Sequence, residues 1–191
     1  LTGVADGEVF YGHRDSPTDQ AEAGFGVQFE WDIPLLEGYP YRWLANMAPR
    51  PNVETFSGCD TPGIRSILEH EIFDAFLVFG WGNKSAVQTI QACRHLGIPI
   101  VMRGDSQLGT PRSLAKRVVK YLPYRWFLRR INAHVYVGKN NHSYLRHYGV
   151  PESRLFFAPH FVDNNFFVHA SSQAQNQGIP QQLRSTLGIE P

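Results

Sequence analysis

The chain has 191 residues, 42% of them hydrophobic and 18% charged, which is the balance of a globular domain. Apolar residues are plentiful and evenly spread, which excludes disorder and a coiled coil as descriptions of the whole chain. The formal net charge of +1 hides a polarised chain: residues 1–105 carry net −7, residues 106–151 net +9 with no acidic residue, and residues 152–191 net −1. Such polarity points to an anionic partner.

Residues 1–15 lack the basic start and apolar run of a signal peptide. No stretch approaches the ~18 apolar residues that span a bilayer. Two cysteines, Cys59 and Cys93, are too few for a disulfide framework and read as reduced thiols of a cytosolic protein. The opening on Leu1 and the ending Leu187-Gly188-Ile189-Glu190-Pro191 read as the ends of a piece of a longer protein.

In chain order, residues 8–12 and 27–31 predict short strands, and 34–47 a loop or short helix. Residues 53–56 suggest a brief strand. Thr61-Pro62 resembles a helix start, Thr as N-cap and Pro at the first helical position, for a helix to about residue 71. Residues 75–79 are a compact apolar run ending in Gly80-Trp81-Gly82, as a buried parallel strand would be. Residues 85–96 predict a helix capped by Gly97, and 98–102 a buried strand. Residues 111–131 form a long basic amphipathic helix that Pro123 kinks or divides. A strand over 133–137, a helix over 140–148 capped by Gly149, and a strand over 155–158 follow. Residues 170–180, rich in Ser, Gln and Asn, read as linker, and 181–187 as a short helix.

Strand and helix alternate with short connections, which predicts an α/β fold: a Rossmann-like parallel sheet with helices on both faces. Right-handed crossovers bring the C-terminal ends of the strands to one edge, where such sheets bind ligands. The densest polar cluster there is Arg103-Gly104-Asp105-Ser106. Arg103 can hold a phosphate or sugar hydroxyl, Gly104 allows close approach to the backbone, and Asp105 can orient a hydroxyl or accept its proton. The plain alternative is a turn with an internal Arg–Asp pair. In Gly80-Trp81-Gly82-Asn83-Lys84 the indole can stack on a sugar or simply close the sheet edge. Gly138-Lys139-Asn140-Asn141 can present a cation and helix amides to an anion, with Asn140 as ordinary N-cap the favoured alternative. His134 and His160 read as structural. Neither the histidines nor the cysteines have metal-ligand spacing, and no phosphate-binding glycine motif occurs.

The helix over 111–131 carries Arg112, Lys116, Arg117, Lys120, Arg125, Arg129 and Arg130 beside Leu114, Val118, Val119, Leu122, Trp126, Phe127 and Leu128. A basic amphipathic helix with aromatics fits an anionic lipid surface, with a solvated helix as the plain alternative and nucleic acid as the less favoured partner.

Several stretches taken together resemble a known family. They are Ile98-Pro99-Ile100-Val101-Met102 leading to Asp105, Asn132-Ala133-His134-Val135-Tyr136-Val137-Gly138, and Tyr148-Gly149-Val150-Pro151. Leu155-Phe156-Phe157-Ala158-Pro159-His160-Phe161-Val162-Asp163-Asn164 with Phe167, and the segment from Leu183 to Ile189, complete the set. In this order the stretches within residues 74–168 resemble the N-terminal, acceptor-side domain of retaining glycosyltransferases of family 4 (group 1), which have the GT-B fold, and the segment from Leu183 to Ile189 resembles the helix just before that family's C-terminal domain. Residues 32–39 resemble the acceptor-side segment of members acting on bacterial polysaccharides. Two departures stand out. Gly104 occupies the place where many members carry a donor-contacting His, and the family's first strand and C-terminal half have no counterpart.

The resemblance implies a domain over 1–168, then a linker and short helix over 169–191 leading to a donor-binding domain. It implies an enzyme, inactive as this piece alone, that moves a sugar with retention from a nucleotide sugar to a glycan or lipid-linked acceptor in cell-envelope polysaccharide biosynthesis. No metal or other cofactor is expected, since the family is metal-independent. The expected location is cytoplasmic, peripheral at the inner face of the membrane. Asp105 and Arg103 are the expected catalytic residues, and Gly80, Trp81, Asn83, Gly104, Ser106, Lys139 and Asn164 the expected substrate contacts. The alternatives are a nucleotide-sugar epimerase of the same fold and a non-catalytic anion-binding module.

Overall fold

The computed structural model describes residues 5–14, 35–109 and 113–189. It divides into two units, Leu1–Ala158 and Pro159–Pro191. The first unit therefore ends earlier than the expected domain over 1–168.

The first unit is built on a four-stranded parallel sheet of β3 (Phe76–Phe79), β4 (Ile100–Gly104), β5 (Ala133–Tyr136) and β6 (Leu155–Phe157), in that spatial order. Helices α2 (Lys84–Leu96), α3 (Leu114–Leu128) and α4 (Lys139–His147) make the three crossovers. This is the Rossmann-like α/β fold expected from the alternating pattern. Each crossover steps one strand in the same direction, so right-handed connections place all three helices on one face, not on both faces as the alternation suggested.

The side chains agree. Val78, Met102, His134 and Leu155 are register partners across the sheet, and all four are buried. One residue along, Phe79, Arg103, Val135 and Phe156 point the other way, and Phe79 and Phe156 are exposed. The helix-covered face holds the core, which gathers Ile64, Ile90, Cys93, Ile100, Leu128, Ile131 and Val150. Burial pushes the Cys93 thiol up to about 11, and Cys59 is raised for the same reason, so both are inert packing groups.

Before this sheet, β1 (Val9–Tyr11) pairs in parallel with β2 (Tyr41–Trp43). Tyr41-Arg42-Trp43 thus forms a strand inside the stretch expected to be loop or short helix. Its register is held by Arg42, whose fork donates to both Glu71 oxygens at 2.7 and 2.5 Å and to Glu8 at 2.6 Å. Glu71 directly follows α1 (Ile64–His70), so one guanidinium ties the small sheet to a helix end.

Two expected local features differ. Residues 53–56 do not form a strand: the Asn52 side-chain oxygen accepts from the Glu54 and Thr55 amides at 3.1 and 2.8 Å, turning the chain into a 3-10 turn at Phe56–Gly58. Thr61 does not cap α1, whose N-cap is Gly63. Thr61 is instead buried, its amide bonded to Gln88 and its hydroxyl to Ser85. Pro123 lies inside α3 without dividing it.

Two cap residues connect α3 to its neighbours. The Arg154 guanidinium donates to the Arg129 carbonyl at 3.0 Å, closing the end of α3. Gly149, after α4, has φ +79°, and the space a Cβ would occupy lies 2.1 Å from a guanidinium nitrogen of Arg125. Gly149→Ala is therefore expected to cost about 1–2 kcal/mol, chiefly from the left-handed backbone, because the long Arg125 side chain can move aside. A urea melt measures it.

The second unit consists of α5 (Asn164–Asn176) and α6 (Ile179–Leu187), which contact each other and are separated by Gly178 at φ +69°. Residues 170–180, expected as linker, are thus largely helical. Asp163 caps α5 by accepting from the Asn165 and Phe166 amides at 2.9 and 3.1 Å, and the Gln and Ala that follow are good helix formers. The strand expected at 27–31 lies outside the described residues.

Candidate functional site

At the C-terminal edge of β4 and β5 the chain opens a cleft of about 490 Å³ lined by Asp105, Gln107, Val137, Gly138, Lys139, Asn140 and Asn141. One wall is the loop leaving β4, and the other is the turn from β5 into α4. The cleft brings together two of the sequence-nominated residues, Asp105 and Lys139.

The turn is built for an anion. Gly138 is the N-cap of α4, no side chain caps the helix there, and its first turn holds no acid. The opening amides of a helix have no intrahelical partners and carry partial positive charge. Lys139 adds a full one. Asn140 is not the N-cap. It lies one residue inside the helix, and its amide donates to Gln107 across the cleft at 3.3 Å.

The walls are stapled by Asn141, which is buried. Its Nδ2 donates to the Ser106 carbonyl at 2.8 Å, and its Oδ1 accepts from the Val137 amide at 3.3 Å. This side chain fixes the position of the β4 loop against α4. The sequence offered a signal for it, an Asn-Asn pair just after a strand-ending glycine, but not which Asn turns inward.

The other nominated residues fall elsewhere. Gly80, Trp81, Gly104 and Ser106 line a separate pocket of about 30 Å³, also walled by Met102, His134 and Asn141. That is room for a water, not a sugar. The Trp81 ring stacks on Phe127 at 4.2 Å and meets Tyr124 edge-on at 4.6 Å, so it is held by α3. Gly80 takes φ +73°, and its amide donates to the Arg103 carbonyl at 2.8 Å, turning the chain away after β3. Asn83 is the N-cap of α2, accepting from the Ala86 amide at 2.8 Å. Asp105 is exposed, and Arg103 is partly buried on the sheet face opposite the core. Asn164 opens α5 in the second unit.

Beneath the site lies His134, fully buried, with Nε2 3.0 Å from the Leu128 carbonyl. A carbonyl only accepts, so Nε2 carries the proton. Burial holds this imidazole below its ordinary value of 6.5, with nearby Arg154 adding to the effect. Below pH 6.5 the unfolded chain takes up a proton that the folded chain refuses, so stability present above that pH is lost as the pH falls. His134→Gln keeps a donor for Leu128. Its melting temperature is expected to fall less between neutral and mildly acidic pH than that of the wild type.

Among the described residues no group of three or more His, Cys, Asp or Glu is placed to hold a metal ion, and no helix is long and apolar enough to cross a membrane. The strand order of the four-stranded sheet does not reverse, so the cleft does not sit at a switch point of strand order. Its opening comes instead from the glycine-ended strand β4 and the uncapped α4. A scan of protein-family models and searches of curated proteins and of solved structures each gave no match.

Proposed function

We propose that the chain is the acceptor-side domain of a retaining glycosyltransferase, whose acceptor binds in the cleft between the β4 loop and α4. The observation that carries this is the cleft itself, where Asp105 and Lys139 share one opening at the strand-end edge. The sequence resemblance over residues 74–168 supplies the reaction class.

In this reaction the acceptor hydroxyl attacks the anomeric carbon from the face that the nucleoside diphosphate leaves. The bond from anomeric carbon to diphosphate oxygen breaks with its electron pair going to the phosphate. The hydroxyl proton passes to that leaving oxygen, so the configuration is retained. Asp105 orients the acceptor hydroxyl by accepting its hydrogen bond. Lys139 and the first amides of α4 attract an acceptor phosphate or the departing diphosphate. No metal is required in this scheme, because these groups offset the developing charge.

The test incubates the full-length polypeptide with labelled nucleotide sugars, in the presence and absence of a polyprenyl-phosphate-linked glycan. Labelled glycan of retained anomeric configuration is the expected product. An isomerised sugar formed without acceptor identifies an epimerase instead and overturns the proposal.

A further inference from the structure

The exposed face of α3 carries an inference that is separate from sugar transfer. Along this helix Val118, Leu122 and Trp126 recur every four residues and are 73%, 70% and 54% exposed, with Val119 beside them at 73%. They form a stripe on one side of the helix. The opposite side is accounted for, since Leu128 is buried in the core and Tyr121, Tyr124 and Phe127 pack against it. An apolar stripe on a helix already anchored by its other face has no role in holding the fold together.

Cations surround the stripe. Lys116, Arg117, Lys120, Arg129 and Arg130 are all exposed. Arg130 lies over the Trp126 ring at 3.9 Å, and Arg94 from α2 approaches the same ring at 5.7 Å. Leu122, Arg125, Trp126, Arg129 and Arg130 line an open groove of about 530 Å³. The block from 106 to 151 contains no acid to neutralise them internally. Arg125 is the least exposed of these cations, and its guanidinium lies against Gly149.

We propose that this face of α3 docks on an anionic phospholipid bilayer. Val118, Leu122 and Trp126 enter the headgroup–acyl boundary, and the lysines and arginines stay level with the lipid phosphates. The choice of occupant follows from the mixture. A nucleic acid offers phosphates to the cations but no apolar layer for three neighbouring exposed side chains. An acidic protein offers charge without a continuous apolar boundary. A bilayer offers both at the depth of one helix face, and an indole flanked by guanidiniums is suited to that interface.

The experiment is vesicle flotation of the full chain, with equal parts phosphatidylcholine and phosphatidylglycerol against phosphatidylcholine alone. Binding at least about tenfold tighter to the anionic vesicles, weakened by salt, is expected. The neutral double variant Val118→Ser/Leu122→Ser keeps every charge and alters only exposed positions. It is expected to lose about tenfold or more of the vesicle binding while its thermal melt stays unchanged. Trp fluorescence quenched by bromine-labelled lipid is expected in the wild type and lost in Trp126→Phe. Two results overturn the proposal: no association with anionic vesicles at low salt, or vesicle binding unaltered in the serine variant and matched by binding to random-sequence duplex DNA. Neither readout needs a nucleotide sugar, so failure here and failure of the transfer reaction are distinguishable.

Discussion

Asp105→Ala is expected to lower sugar transfer by the full-length polypeptide about 10²-fold, the range for losing the group that aligns the attacking hydroxyl. The fall should appear in kcat for the acceptor reaction, with the KM for nucleotide sugar little changed. Asp105 sits in the cleft wall on the loop leaving β4 and, among the described residues, makes no fold-supporting hydrogen bond of the kind that Asn141 makes. Its side chain is exposed, so the melting temperature should stay within a degree or two of wild type, as for surface substitutions generally. Asp105→Asn tests this orienting role against proton acceptance by the carboxylate. The amide oxygen still accepts a hydrogen bond from the acceptor hydroxyl, so a pure orienting role predicts a loss of only about tenfold. Transfer by Asp105→Ala within a few-fold of wild type would remove Asp105 from the site. A steady-state assay with purified variants and a fixed acceptor reads all of these values.

What the sequence disclosed follows from the range of the interactions involved. Strands β3 to β6 and the helices between them were legible because each is a local pattern. Phe76–Phe79 and Ile100–Gly104 are apolar runs, and Gly97 and Gly149 are left-handed caps at the ends of helices. Strand β2 was not legible, because Tyr41-Arg42-Trp43 has little alternation and is held by Glu8 and Glu71, residues distant in sequence. Thr61 shows the same limitation. Thr-Pro is a good helix start locally, but Gln88 and Ser85 engage the Thr from α2. In the site, the edge and the loops were foreseeable from topology. The division into an open cleft and a separate small pocket was not, since it depends on Phe127 and Tyr124 of α3 taking up the Trp81 ring. The exposed stripe on α3 was half legible. The charges were plain in the sequence, but which apolar residues faced the core could be read only once Tyr121, Tyr124 and Phe127 were seen against it.

Asn141→Leu is expected to cost about 1–3 kcal/mol, because the Ser106 carbonyl and the Val137 amide both lose the buried side chain that partners them. The Ser106 carbonyl accepts from Asn141 Nδ2 at 2.8 Å, and the Val137 amide donates to its Oδ1 at 3.3 Å. Leucine has the same branched arrangement of side-chain heavy atoms, so no cavity opens, and the loss combines polar satisfaction with crowding by the bulkier methyl groups. Asn141→Asp sharpens the point. It keeps an acceptor for Val137 but sets a carboxylate oxygen against the Ser106 carbonyl in a site with almost no solvent contact. Its destabilisation should therefore grow as the pH rises through the carboxylate range, since the charged form is the one that burial and the facing carbonyl disfavour. Asn141→Leu, which does not titrate, should show no such growth. Urea melts across pH distinguish the two. Equal losses for the two variants at every pH would mean that the β4 loop simply moves away from α4, and that the cleft walls are not held together by this side chain.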